Sequence, residues 1–162
     1  MGASKVALAK ASCPVARAVD VIGDRWSLLI IRDVFDGICR FGALQRSLGL
    51  ARNILTERLR TLVAQGVLET RPASDGTAYH EYAVTEKGAD LFPILVALRQ
   101  WGEGHLFTEG EEHSVLLDAD SGQPIRRLQP LDAEGRPATY RTSYVRKVPE
   151  EVEGDEGRAR RS

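Results

Sequence analysis

Apolar residues recur at helical spacing through the first two thirds of this chain, and the periodicity breaks only once, for two short alternating runs. Val15, Val19 and Ile22 give a first helix one apolar edge, which Gly23 ends. Asp24 is placed to cap a second helix, in which Trp26, Leu29, Ile30 and Val34 form one face and Leu28, Ile31 and Phe35 another. Apolar residues on two sides imply burial on two sides, so this helix is expected at the centre of the core. Phe41, Leu44 and Leu48 carry a short third helix, and Gly49 supplies the turn into a fourth. There Leu55, Leu59, Leu62 and Val63 mark one buried face of a helix over 52–65, which closes at Gly66.

Val67 to Thr70 and Tyr79 to Val84 then read as strands, and Asp75-Gly76 between them is a hairpin signal because glycine tolerates positive φ. Helix, helix, strand, turn, strand spells a winged helix-turn-helix. Thr85 can cap a long helix with Leu91, Leu95, Leu98 and Trp101 in register, kinked or broken at Pro93. Its apolar surface calls for a second copy of the chain or for the first helix of the same one. Beyond Thr108, Ser114 to Asp118, Pro124 to Leu131 and Ala138 to Val148 look like short strands separated by turn residues. The expected fold is mainly α with a β-hairpin wing (α+β), followed by a small C-terminal β-appendage. The expected divisions are a flexible arm at 1–12, the DNA-binding and dimerisation domain at 13–107, a β-rich extension at 108–148 and a disordered tail at 149–162.

Charge sharpens this outline. Between Cys39 and Pro72 six arginines face two glutamates, in a chain whose net charge is −1. Positive charge is thus concentrated where phosphate would lie. Arg52, Asn53, Thr56 and Arg60 fall on the face of the fourth helix opposite its leucines, a set suited to base edges and phosphates, and Arg40, Arg71, Thr77 and His80 frame the wing. Arg58 is set apart as a candidate internal ion pair. The longest aliphatic run, Leu28 to Ile31, is too short to cross a bilayer, so a cytoplasmic protein with no membrane partner is expected. His80, His105 and His113 have neither metal-ligand spacing nor a nucleophile beside them, and no glycine-rich phosphate loop occurs, so neither enzyme activity, metal nor cofactor is expected. Cys13 precedes Pro14 and is the expected N-cap of the first helix, where free N–H groups and the helix dipole stabilise a thiolate.

The runs CPVARAVDVIGDRWSLLIIRDVF, RFGALQRSLGLARNILTERLRTLVAQGVLE and YAVTEKG, with the LRQW segment after them, together resemble the HxlR-type bacterial transcription regulators over roughly residues 13–107. The resemblance implies a winged-helix homodimer formed through its first and last helices and bound to double-stranded operator DNA. It puts the recognition helix at Arg52 to Gln65 and the wing at Pro72 to His80. It also makes Cys13 the match for a cysteine that senses electrophiles or oxidants in several members; Cys39, which the family pattern does not call for, is a candidate resolving thiol. Two departures stand out: the recognition helix begins at Ala51-Arg52 without the usual Ser or Thr cap, and Cys39 is unusual at its position. The reading is a sequence-specific transcriptional regulator switched by thiol modification at Cys13 or by a small-molecule effector in a pocket near Trp26. The alternative is a winged-helix protein-interaction module or an effector-independent DNA-binding scaffold.

Overall fold

The computed structural model describes residues 8–148, so the tail expected to be disordered at 149–162 lies outside the described residues. Of the N-terminal arm, Leu8–Lys10 form one 3-10 turn beside the first helix, and the Arg17 guanidinium ties it down by donating to the Ala11 carbonyl at 2.6 Å. The helices are α1 (Pro14–Ile22), α2 (Arg25–Phe35), α3 (Phe41–Leu48) and α4 (Arg52–Ala64). An antiparallel hairpin, β1 (Leu68–Pro72) and β2 (His80–Val84), follows, and then α5 (Glu86–Ala89) and α6 (Phe92–His105).

The expected caps and breaks have physical counterparts, except that Cys13 stands at the N-cap of α1 without a side-chain hydrogen bond. Asp24 Oδ1 accepts from the Trp26 and Ser27 amides, both at 3.0 Å, which satisfies two of the free donors at the start of α2. Gly49 and Gly66 take left-handed φ of 63° and 69° and end α3 and the α4 turn. After Gly66, the Val67 amide donates back to the Leu62 carbonyl, so Val67 belongs to the helix exit and the strand starts one residue later than its alternation suggests. Pro93 marks a break and not a kink: α5 stops at Ala89 and Pro93 falls in the first turn of α6, where a missing N–H leaves no bond unmade.

Burial confirms α2 as the centre: Ser27, Ile30, Ile31, Asp33 and Val34 are all buried, and the helix touches α1, α3, α4 and β2. Against it pack Leu44 of α3 and Leu55, Leu59 and Leu62 of α4, each essentially without exposed surface. Burying an aliphatic side chain of this size is worth about 1.5–3 kcal/mol, so three in one row hold α4 in a single rotation about its axis. The hairpin is fastened beneath them. Thr85 Oγ1 donates toward the Gly66 and Val67 carbonyls and accepts from the Gly88 amide, and a Cβ on Gly88 would collide with the Val67 carbonyl oxygen. The sequence Thr85-Glu86-Lys87-Gly88 is therefore a docking turn against the end of α4.

The C-terminal appendage differs from expectation in its detail. In place of three continuous strands it has two turns, each closed by one isolated bridge, Leu117 with Pro124 and Leu131 with Pro137. Prolines at both bridges remove ladder donors, and the apolar side chains Val115, Leu117, Leu128 and Leu131 stay largely exposed, so no buried face forms to support longer strands. What holds this segment is α6. The Gln100 amide donates to the Arg126 carbonyl and accepts from the Leu128 amide, and Arg99 donates to the Ser114 carbonyl and hydroxyl.

Asp24 also meets α4, with Arg58 Nη1 at 3.6 Å from its Oδ2. Partial burial raises the Asp24 pKa, but the Ser27 hydrogen bonds and the Arg58 charge outweigh it and the net shift is downward. A carboxylate with a depressed folded-state pKa stabilises the fold above the ordinary aspartate range and loses that contribution as pH falls through its folded pKa. Asp24→Ala should cost about 1 kcal/mol for the cap alone, more with the Arg58 ion pair included. In urea titrations the gap between wild type and variant should be full at neutral pH and close below about pH 4.

Candidate nucleic-acid interface

With Leu55, Leu59 and Leu62 committed to the core, the other side of α4 is left to solvent. Arg52, Asn53, Thr56, Glu57 and Arg60 line one open groove along it. Four of the five are expected from the sequence; Glu57 is not. Its signal was available, since 52, 53, 56, 57 and 60 follow a single helical stripe, but a carboxylate does not suggest contact with a polyanion. Within the stripe, the Arg52 guanidinium lies 5.2 Å over the Phe41 ring of α3, which draws it toward the junction of the two helices. Thr56 turns its hydroxyl back to the Arg52 carbonyl at 2.8 Å, so its hydrogen bond is spent inside the helix. Arg60 is exposed and has no ion-pair partner among the described residues. Ala51 caps α4 without a side-chain bond, which leaves the first amides of the helix free at the groove's end.

The wing is built by residues that the sequence suggests for DNA. Arg40, at the start of α3, donates from Nη2 to Asp75 Oδ2 at 2.6 Å and from Nε to Glu81 Oε1 at 3.0 Å. One guanidinium thus joins the α3 entrance, the wing tip and β2. Asp75 Oδ1 accepts from both the amide and the hydroxyl of Thr77, which shapes the turn around Gly76. Glu81 Oε2 accepts from the Ser74 amide at 3.3 Å, and the Tyr82 amide donates to the Cys39 carbonyl at 2.8 Å. The bond from Arg40, then those from Thr77, hold Asp75 far below the usual carboxylate range, and Arg40 likewise lowers Glu81. Arg40 and Thr77 thus build the wing in this structure: their donors already face carboxylates, and a phosphate would have to displace them. Arg71 is exposed and pairs with Glu69 at 3.0 Å, and His80 is exposed opposite Pro72 at the base of the wing.

Arg58, set apart in the sequence as an internal ion pair, takes that place against Asp24. Trp26 does not border the groove; it packs against the core cluster with the Arg25 guanidinium 5.4 Å over its ring. Cys13 is the N-cap of α1 and exposed, Cys39 is half-buried, and both are free thiols. No group of three or more His, Cys, Asp or Glu side chains converges as a metal site among the described residues, and no described helix is long and apolar enough to cross a membrane.

This geometry has relatives. A family model described as HxlR-like helix-turn-helix matches residues 21–109. An uncharacterised HTH-type transcriptional regulator of Mycobacterium tuberculosis is 48% identical over 92 residues, which are 57% of this chain and 58% of that protein; the match thus spans little more than half of the relative. The crystal structure of the candidate transcription factor PA1607 superposes with a TM-score of 0.81 at 52% identity, covering 86% of this chain and 98% of the other. That coverage reaches well past the family model. The redox regulator HypR in its oxidised form superposes with a TM-score of 0.53 at 32% identity, covering 59% of this chain and 100% of HypR.

If Arg40 clamps the wing, Arg40→Ala should loosen the wing alone. Hydrogen exchange should speed up at Ala73 to His80 by about tenfold while amides of α4 keep their protection. Equal acceleration throughout the domain, or none at the wing, would show that the clamp is not what orders it.

Proposed function

The chain belongs to the HxlR-like helix-turn-helix family, and we propose that it is a cytoplasmic transcriptional regulator that binds specific sequences in double-stranded DNA as a homodimer. Members of this family are transcription regulators and not enzymes. The observation that carries the DNA reading is the open α4 groove, with Arg52, Asn53, Thr56 and Arg60 on a helix whose opposite face is locked in the core. A helix presented in this way fits the major groove, where arginine and asparagine pair with guanine and adenine edges. Arg71 and His80 stand beside the wing, exposed, where flanking backbone would pass.

Dimerisation is supported by the apolar side chains that the single chain leaves uncovered. Val15 and Val19 on α1 and Ile94, Leu98 and Trp101 on α6 are between 41% and 69% exposed. Two reading helices held about 34 Å apart would enter successive major grooves. Cys13 occupies the N-cap position of α1, two residues before Val15, so a bulky or charged modification of its thiol would fall at the edge of such an interface and alter the spacing of the two helices. The likeness to HypR supports a redox signal, with Cys13 as its receiver; a small-molecule effector near Trp26 is the second reading.

Two experiments test this. In gel-shift titrations with DNA from upstream of the protein's own gene, Arg52→Ala and Arg60→Ala should each weaken binding. Each should also lower the slope of log affinity against log salt by about one for every phosphate that the arginine had neutralised. Unchanged affinity and slope would place the reading face elsewhere. Diamide should weaken binding of the wild type at least tenfold and leave Cys13→Ser unaffected, whereas an equal loss in both would exclude Cys13 as the switch.

A further inference from the structure

Glu57 is the single anion among the five residues that line the α4 groove, and it sits in the middle of the stripe, one turn beyond Asn53 and one turn before Arg60. It is exposed, and its carboxylate has no ion-pair or hydrogen-bond partner among the described residues. The hydroxyl of Thr61 approaches it only through the backbone, donating to the Glu57 carbonyl at 3.1 Å. No structural task is visible for this side chain.

On a surface that meets phosphates, an unpaired carboxylate raises the energy of every complex, whatever the sequence. The repulsion is offset only where the DNA presents a hydrogen-bond donor. In the major groove the donors are the amino groups of cytosine and adenine. Adenine couples its amino group to a neighbouring acceptor, a pattern that the amide of Asn53 matches and a carboxylate does not. Cytosine offers the amino group alone. We propose that Glu57 is a specificity-determining residue that accepts a hydrogen bond from the exocyclic amine of one cytosine in each half-site. This rests on the α4 groove being the DNA-reading face. The guanine paired with that cytosine presents two acceptors, O6 and N7, which suit an arginine of the same stripe. One G·C pair is then read on both of its bases. Glu57 contributes discrimination without affinity, while Arg52 and Arg60 contribute affinity, and whichever of them meets the guanine contributes discrimination as well.

The experiment is selection from a randomised duplex library with wild type, Glu57→Ala and Glu57→Gln, followed by titration of the selected site and its single-base variants. Thermal unfolding of all three proteins checks the fold, which an exposed side chain should leave unchanged. Wild type should prefer G·C at one position per half-site, and Glu57→Ala should lose about tenfold of that preference there and nowhere else. It should also bind unrelated DNA more tightly than wild type does. Glu57→Gln keeps an acceptor without the charge, so it should retain part of the cytosine preference while sharing the tighter non-specific binding. If Glu57→Ala selects the same motif with the same discrimination, Glu57 is not a reader and the proposal is overturned. If wild type selects no motif at all, the DNA reading of α4 falls and takes this proposal with it.

Discussion

Leu55, Leu59 and Leu62 leave α4 no freedom to turn about its own axis. All three are buried in the core cluster, where α4 meets α2 and β1, and a rotation that brought Arg52 or Arg60 inward would expose the leucines and bury charge. Exposing the three leucines would alone cost about 5–9 kcal/mol, comparable to the whole stability of an ordinary domain, about 5–15 kcal/mol, and burying an unpaired charge would add to that. The polar stripe at 52, 53, 56, 57 and 60 is consequently fixed in direction by residues that never touch a ligand. Function on the outer face depends on packing on the inner one.

Two further links make α4 part of a rigid unit. Midway along α4, Arg58 meets Asp24, the cap of the central helix, so α4 is tied to the core. At its C-terminal end the Thr85–Gly88 turn closes against the Gly66 and Val67 carbonyls, and Lys87 Nζ donates to the Gln65 carbonyl. Arg40 and the Cys39 carbonyl then pin β2 and the wing tip to the entrance of α3. The arginines of this region thus divide by partner. Arg40 and Arg58 serve the fold, Arg71 shares its charge with Glu69, and Arg60 remains unengaged among the described residues.

That division shows what a sequence can and cannot reveal. Helix periodicity, the Asp24 cap, the Gly49 and Gly66 exits and the Asp75-Gly76 turn are local properties, and each is legible because its cause lies within a few residues. The polar stripe follows from the same periodicity. The structural task of Arg40 is not legible locally because its partners, Asp75 and Glu81, lie 35 and 41 residues away, and net charge over a window cannot say which cation is already neutralised. Glu57 is passed over for the converse reason: its sign argues against DNA, although its position on the stripe argues for it. The appendage is read from β-forming residues alone, without a face for them to bury, and such residues form strands only when something covers them. Trp26 invites a pocket because aromatic side chains line ligand sites, yet the same ring fills space beside the core.

The most direct test of the α4 reading face is an NMR titration of the labelled protein with a duplex from upstream of its own gene, following backbone amide shifts residue by residue. The largest changes should fall on Arg52 to Arg60 and on the wing around Ala73 to His80, with the buried α2 amides little moved. Changes concentrated instead on α1 and α6, or on the appendage after Thr108, would contradict the assignment of α4 as the surface that reads DNA.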